Sequence, residues 1–207
     1  MEKNCAVVSG GAKSTLAGIE NADFVVAVDH GLDYLLEAGI RPDLALGDFD
    51  SCAGNVPSGV KSVRLPRRKA DTDTLAAFRH CLDLGYRNFT VYCAFGRRLD
   101  HLLANIQSFA FVAGQGGNVR VIGDDDELIL IHDTEIILPA RGPDHSLSVL
   151  SLSQVSLGVD IEGAEYEVHD FRMESVFPIG VSNEWKHGDV RIAVKQGTLA
   201  VIVSRKR

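Results

Sequence analysis

A chain of 207 residues, 45% hydrophobic and 24% charged, is long enough to bury a core without disulfide or metal staples and too ordinary in composition for a disordered or fibrous protein. Twenty-eight acidic residues against 21 Lys and Arg leave a formal charge of -7, so there is no general attraction to nucleic-acid phosphates or an anionic membrane, and any polyanion must be handled through a cation. No apolar run reaches membrane-spanning length, "MEKNCAVVSGG" is too short for a signal peptide, and Cys5, Cys52, Cys81 and Cys93 form no C-x-x-C pair, so the expected setting is the cytoplasm with reduced thiols.

In chain order, the first 125 residues alternate short apolar runs with helical patterns. Expected strands are "CAVVS", "FVVAVD", "DLALGD", "SVRLP", "FTVYCAF" and "VRVIGD", several of them nearly all apolar, as in strands buried on both faces. Helices are expected over Leu32 to Ala38, Thr72 to Leu84 and Asp100 to Ala113, each stopped by a glycine. This predicts an open parallel, Rossmann-like α/β domain over residues 1–125. Beyond it, "ELILIHDTEIILP", "SLSVLSLS", "AEYEVHD", "DVRIAVKQG" and "TLAVIVS" alternate and are broken by Gly, Pro, Asn and Asp. That texture predicts an antiparallel β sandwich or barrel over residues 126–207.

In a parallel sheet, ligands sit outside the carboxyl ends of the strands, and acids recur there. Asp29 ends "FVVAVD", Asp48 and Asp50 follow "DLAL", Asp71 and Asp73 open one helix, and Asp100 opens another. Gathered in one cleft, these carboxylates repel unless they share a cation, and hard oxygen donors at this density suit Mg²⁺ bridged to substrate phosphates. Each acid taken alone is equally explained as an Asx turn or a helix cap; the repetition at successive strand ends is what favours a metal–polyphosphate site. Asp124 to Asp126 read as a turn between strands. "SGGAKST" is a glycine turn with Lys13 that fails the full phosphate-loop pattern, and Arg97 and Arg98 are either a phosphate clamp or solvated loop residues. No G-x-S-x-G or G-x-G-x-x-G is present.

Together "GDFDS" (Gly47 to Ser51), "KADTDTLAAF" (Lys69 to Phe78), "GRRLDHLLANI" (Gly96 to Ile106) and "GVSNEW" (Gly180 to Trp185) resemble thiamin pyrophosphokinase, in order and over most of the chain. The resemblance implies an α/β domain holding Mg-ATP and a β domain that helps bind thiamin. It also implies a homodimer with sites where two subunits meet, and transfer of the β,γ-pyrophosphoryl group of ATP to the thiamin hydroxyl, giving AMP and thiamin diphosphate. Carried over by residue, Asp48, Asp50 and Asp73 match the magnesium ligands, with Asp100 completing the acidic wall; Asp100 or a metal-bound neighbour would accept the hydroxyl proton. Asp29, Lys69, Thr72, Arg98, His101 and Asn105 fall on the nucleotide side. Ser182 and Asn183 would hydrogen-bond thiamin, and Trp185 would stack on its rings.

Ala70 replaces a family carboxylate, His30 stands where glycine is usual, and Arg97 replaces a glycine. Two other functions stay open: a different Mg²⁺-dependent phosphotransferase or phosphohydrolase on the same scaffold, and a non-catalytic nucleotide or thiamin binding module. Product identity separates the first, and absence of turnover the second.

Overall fold

The computed structural model describes residues 3–47, 56–65, 71–96 and 98–206. It divides into two compact units, one within Met1–Val112 and Gly117–Asp124, the other formed by Ala113–Gly116 and Asp125–Arg207.

The first unit is a parallel sheet flanked by helices. Its strands are β1 (Asn4–Val8), β2 (Phe24–Val28), β3 (Leu44–Gly47), β4 (Lys61–Arg64), β5 (Asn88–Tyr92) and β6 (Asn118–Ile122). All pairings are parallel and run in the order β4-β3-β2-β1-β5-β6. The central strand β1 has Cys5, Ala6, Val7 and Val8 entirely buried, the pattern of a strand covered on both faces. The helices are α1 (Gly31–Glu37), α2 (Asp73–Asp83) and α3 (Leu99–Gly114). Thr72 caps α2 by accepting a hydrogen bond from the Leu75 amide at 3.1 Å, so the helix starts one residue later than the sequence pattern predicts. Phe78 of α2 meets Phe89 of β5 and Phe109 of α3 edge-on, with ring centroids 5.2 and 5.8 Å apart, which ties both helices to one strand. A 3-10 turn, Ile19–Asn21, was not expected from the pattern; its Ile19 is buried against the core.

The second unit is antiparallel. One sheet holds β7 (Asp126–His132), β13 (Thr198–Arg205) and β9 (His145–Ser151), with β13 in the middle. The other holds β11 (Val168–Glu174), β10 (Val155–Glu162), β12 (Val190–Ala193) and β8 (Glu135–Leu138), in that order. Ile129, Ile131, Leu147, Val149, Leu199 and Val201 of the first sheet and Leu138, Val159, Ile161, Met173, Val190 and Ile192 of the second form one core, so the unit is sandwich-like.

Two strands depart from the sequence reading. β10 is unread there because Gly158, at φ +63, and register shifts on either side of Val159 break the alternation. The "AEYEVHD" strand begins only at Val168: the Glu167 carboxylate accepts from the Gly163 amide at 2.8 Å and the Glu165 amide donates to the Glu184 carbonyl at 2.9 Å, so residues 164–167 close a loop instead of joining the sheet. Among the described residues no helix is long and apolar enough to cross a membrane.

Candidate active site

From β1 the chain steps outward through β2, β3 and β4, then returns to the other side of β1 as β5. The reversal leaves a crevice beyond the carboxyl ends of β1 and β5, the place where open α/β sheets take ligands. A cavity of about 310 Å³ lies there, lined by Ser9 to Gly11 after β1, Asp29 and His30 after β2, Ala94, Gly96 and Arg98 after β5, and Thr74, His101 and Asn105 on the helices. A second cavity of about 210 Å³ shares Asp29, Thr74, His101 and Asn105 with it and adds Thr72, Asp73 and Ala104.

The walls are held by backbone bonds. Gly11 donates to the Cys93 carbonyl at 2.8 Å and Ala12 to the Phe95 carbonyl at 2.7 Å. A Cβ on Gly11 would come within 2.4 Å of that Cys93 carbonyl, so only glycine lets the turn approach β5 this closely. Those two amides are therefore committed to the scaffold and are not offered to a phosphate. Lys13 pairs with Glu37 on the surface and does not line the cavity. The half phosphate-loop suggested by "SGGAKST" is thus a structural turn, although Ser9 and Gly10 do face the cavity. Ser9 and Thr74 hydroxyls are 3.2 Å apart, and the buried Asn105 side chain donates to the Ala94 carbonyl at 3.0 Å, joining α2 to β1 and α3 to the end of β5.

Asp29 and Cys93, which directly follow β2 and β5, both have left-handed backbones, at φ 49° and 52°. Such non-glycine conformations cost about 1 kcal/mol or more and concentrate at ligand sites. The Asp29 amide donates to the Leu46 carbonyl at 3.0 Å, and a Cβ on Gly47 would stand 2.1 Å from Asp29 Oδ1. The glycine of "GDFDS" is thereby explained: it makes room for the carboxylate of the neighbouring strand. Asp48 and Asp50 lie outside the described residues, as do Lys69, Ala70 and Arg97. Asp73, first residue of α2, lines the smaller cavity with Thr72. Asp71 instead pairs with Arg79 at 2.7 Å. Asp100 is on the exposed start of α3, where Arg98 grips its carboxylate through Nε at 3.1 Å and Nη2 at 2.6 Å. That guanidinium, with the His101 amide, holds the Asp100 carboxyl below the usual range. Arg98 and His101 line the cavity themselves.

In the second unit, Asn183 is buried and its side chain is fully engaged: Nδ2 donates to the Tyr166 carbonyl at 2.8 Å and Oδ1 accepts from the amides of Tyr166 at 3.0 Å and Glu184 at 2.9 Å. Its main chain exchanges hydrogen bonds with Leu147 of β9, both 2.8 Å. Ser182 is exposed, left-handed at φ 59°, and donates its amide to Ser148 Oγ at 3.1 Å. Trp185 is half-buried against the sandwich core, and its indole Nε1 is buried with no hydrogen-bond partner among the described residues. Tyr166, clamped by Asn183, is 72% exposed.

Residues 17–121 match the family model of the thiamin pyrophosphokinase catalytic domain, and residues 134–199 match that of the thiamin pyrophosphokinase vitamin B1 binding domain. The chain belongs to the thiamin pyrophosphokinase family. It is an enzyme of that family. Thiamine pyrophosphokinase of Bacillus subtilis is 23% identical over 98% of this chain and 99% of its own. Its crystal structure superposes with a TM-score of 0.88, covering 99% of this chain and 100% of that one at 23% identity. A thiamin pyrophosphokinase family protein from Enterococcus faecalis gives 0.82 at 25% identity over 99% and 100% of the two chains. The Candida albicans thiamin pyrophosphokinase also gives 0.82, at 17% identity over 99% and 90%.

Within this thiamin pyrophosphokinase fold, the carboxylate of Asp73 and the hydroxyls of Thr72 and Thr74 are hard oxygen donors, which fits Mg²⁺. Among the described residues no three His, Cys, Asp or Glu side chains gather closely enough to bind a metal alone. Mg²⁺ does not require such a cage, because it commonly uses one or two carboxylates with substrate phosphates. Sequence reasoning missed Thr74 as a cavity residue and reached Ser9 only as the start of the "SGGAKST" turn. Their signal was available: one directly follows the central strand, and the other lies in the first turn of the helix that opens with "DTD".

Proposed function

We propose that the protein transfers the β,γ-pyrophosphoryl group of ATP to the hydroxyl of thiamin, giving thiamin diphosphate and AMP, in the cytoplasm and as a homodimer whose subunits jointly form the sites. The observation that carries this reading is the tandem match of a catalytic and a vitamin B1 binding domain, the first spanning most of the residues around the switch-point cavity. ATP occupies the cavity of the first unit. Asp29, Lys69, Thr72, Arg98, His101 and Asn105 form the nucleotide side.

The thiamin hydroxyl oxygen attacks the β-phosphorus, the bond from that phosphorus to the bridging oxygen of the α-phosphate breaks, and AMP leaves. Asp48, Asp50 and Asp73 would hold Mg²⁺, which supplies neutralisation of the charge on the transferring group. The hydroxyl proton passes to a carboxylate of the wall. The acceptor is Asp100, whose carboxyl Arg98 holds below the usual range, or a metal-bound neighbour. Ser182, Asn183 and Trp185 form the thiamin side, with Asn183 acting through Tyr166, whose main chain it holds.

The test is incubation of the purified protein with ATP, Mg²⁺ and thiamin, with AMP and thiamin diphosphate quantified. Equal, thiamin-dependent and Mg²⁺-dependent formation of both products is expected. Formation of ADP in place of AMP would move the protein to another phosphotransferase class.

A further inference from the structure

His30, which follows Asp29 at the end of β2, lines the larger cavity beside Ser9, Gly10 and Asp29. Two neighbours fix the ring. Its Nδ1 lies 2.8 Å from Oδ2 of the buried Asp33, and its edge packs on Tyr34 with centroids 5.1 Å apart. Tyr34 in turn donates its hydroxyl to the Gly11 carbonyl at 2.9 Å, which locks the ring to the glycine turn. A Cβ on Gly10 would stand 3.3 Å from the His30 Cβ, and one on Gly31 would stand 2.0 Å from the Val8 carbonyl, so the backbone around His30 is pressed against β1 and has little room to move. An aromatic side chain held this firmly in a ligand cavity has the pre-organisation expected of a contact residue.

A carboxylate only accepts, so Asp33 draws the hydrogen of a neutral imidazole onto Nδ1 and leaves a lone pair on Nε2. Nε2 has no partner among the described residues. An acceptor suits a hydroxyl or an amine, not a phosphate oxygen. We propose that His30 is a specificity residue for the nucleoside part of the nucleotide, its Nε2 accepting a hydrogen bond from a ribose hydroxyl or the adenine amine, with Asp33 as the residue that positions it. This rests on the reading of the cavity as the nucleotide site. The end of the second strand beside the turn after the first is also where doubly wound folds hold a ribose.

The experiment compares binding of Mg-ATP and Mg-tripolyphosphate, which shares the phosphates but lacks the nucleoside, by calorimetry on the full chain and on His30→Leu, His30→Gln and Asp33→Asn. Circular dichroism and melting establish folding of each. His30→Leu is expected to weaken ATP by about threefold to tenfold, the effect of one lost hydrogen bond, and to leave tripolyphosphate within about twofold. His30→Gln, whose amide oxygen supplies an acceptor at the reach of Nε2, restores much of the ATP affinity. Asp33→Asn, which can donate to Nδ1 and so turn Nε2 into a donor, weakens ATP alone.

Equal weakening of both ligands would make His30 a phosphate contact and overturn the proposal, as would no change in either. A wild-type protein that binds no ATP would overturn both this proposal and the nucleotide reading of the cavity. The expected selectivity without thiamin-dependent turnover would leave the His30 role standing and remove only the pyrophosphokinase reaction.

Discussion

The two units treat their site residues in opposite ways. In the first, candidate side chains stand in loops and helix starts just beyond buried strands, and several of them, Asp29, Asp73, Arg98, His101 and Asn105, share two overlapping cavities. In the second, Asn183 and Trp185 are drawn into the sandwich itself, one bonded to Tyr166 and the other packed on the core. A parallel sheet ends all its strands on one edge, so function can be added there without disturbing the core. An antiparallel sandwich has no such common edge, and a loop that approaches its face must be stitched to it. The difference teaches that substitutions in the first unit should separate stability from activity, whereas those in the second should change both.

The sharpest break in that separation comes from the scaffold. Phe78 is fully buried between Phe89 and Phe109, and Phe78→Ala is expected to destabilise the protein by about 3–5 kcal/mol in urea denaturation. A loss under about 1 kcal/mol would mean that the helices are not held by this aromatic cluster. Next, Asp50→Ala is expected to lower thiamin diphosphate formation by at least about a hundredfold, while its urea midpoint stays close to that of the wild type. Turnover near the wild-type rate would remove Asp50 from the proposed wall.

In the second unit, Asn183→Ala is expected to lose about 1–3 kcal/mol, because the Tyr166 amide and carbonyl both lose their partner, and also to raise the KM for thiamin with little change in the KM for ATP. A stability loss without any effect on thiamin would make Asn183 only a clamp. An effect on thiamin with unchanged stability would mean that it meets the substrate directly. Either result sharpens the contrast between the units.

Much of the first unit was legible in the sequence because several of its strands are nearly all apolar and its helices end at Gly39, Gly85 and Gly114 or just before them. The places of Asp29, Asp73 and Asp100 followed from strand ends and helix starts alone. What could not be read was pairing between distant residues. Nothing local announces that Gly47 accommodates Asp29, or that Asn183 spends its amide on Tyr166. The shortfall in the second unit has the same cause: Gly158 and the bulges of β10 satisfy partner strands, not a local period.

The smallest expected effect concerns the Asp100–Arg98 pair, where an exposed contact has a chemical consequence and little structural one. Arg98 holds the Asp100 carboxyl below its ordinary value, so the carboxylate is ionised throughout the neutral range. Because the folded value is the lower one, any stabilisation is present above the unfolded value and is lost as pH falls through the folded one. Both side chains are more than 60% exposed, so the change in stability should be close to undetectable, and carbon-detected NMR titration of the carboxyl is the suitable measurement. In Arg98→Ala the Asp100 midpoint is expected to rise toward that of a free aspartate. If proton acceptance falls to another carboxylate of the wall, the acidic limb of the pH–rate profile should not follow that rise. A limb that moved with Asp100 would assign the proton to it.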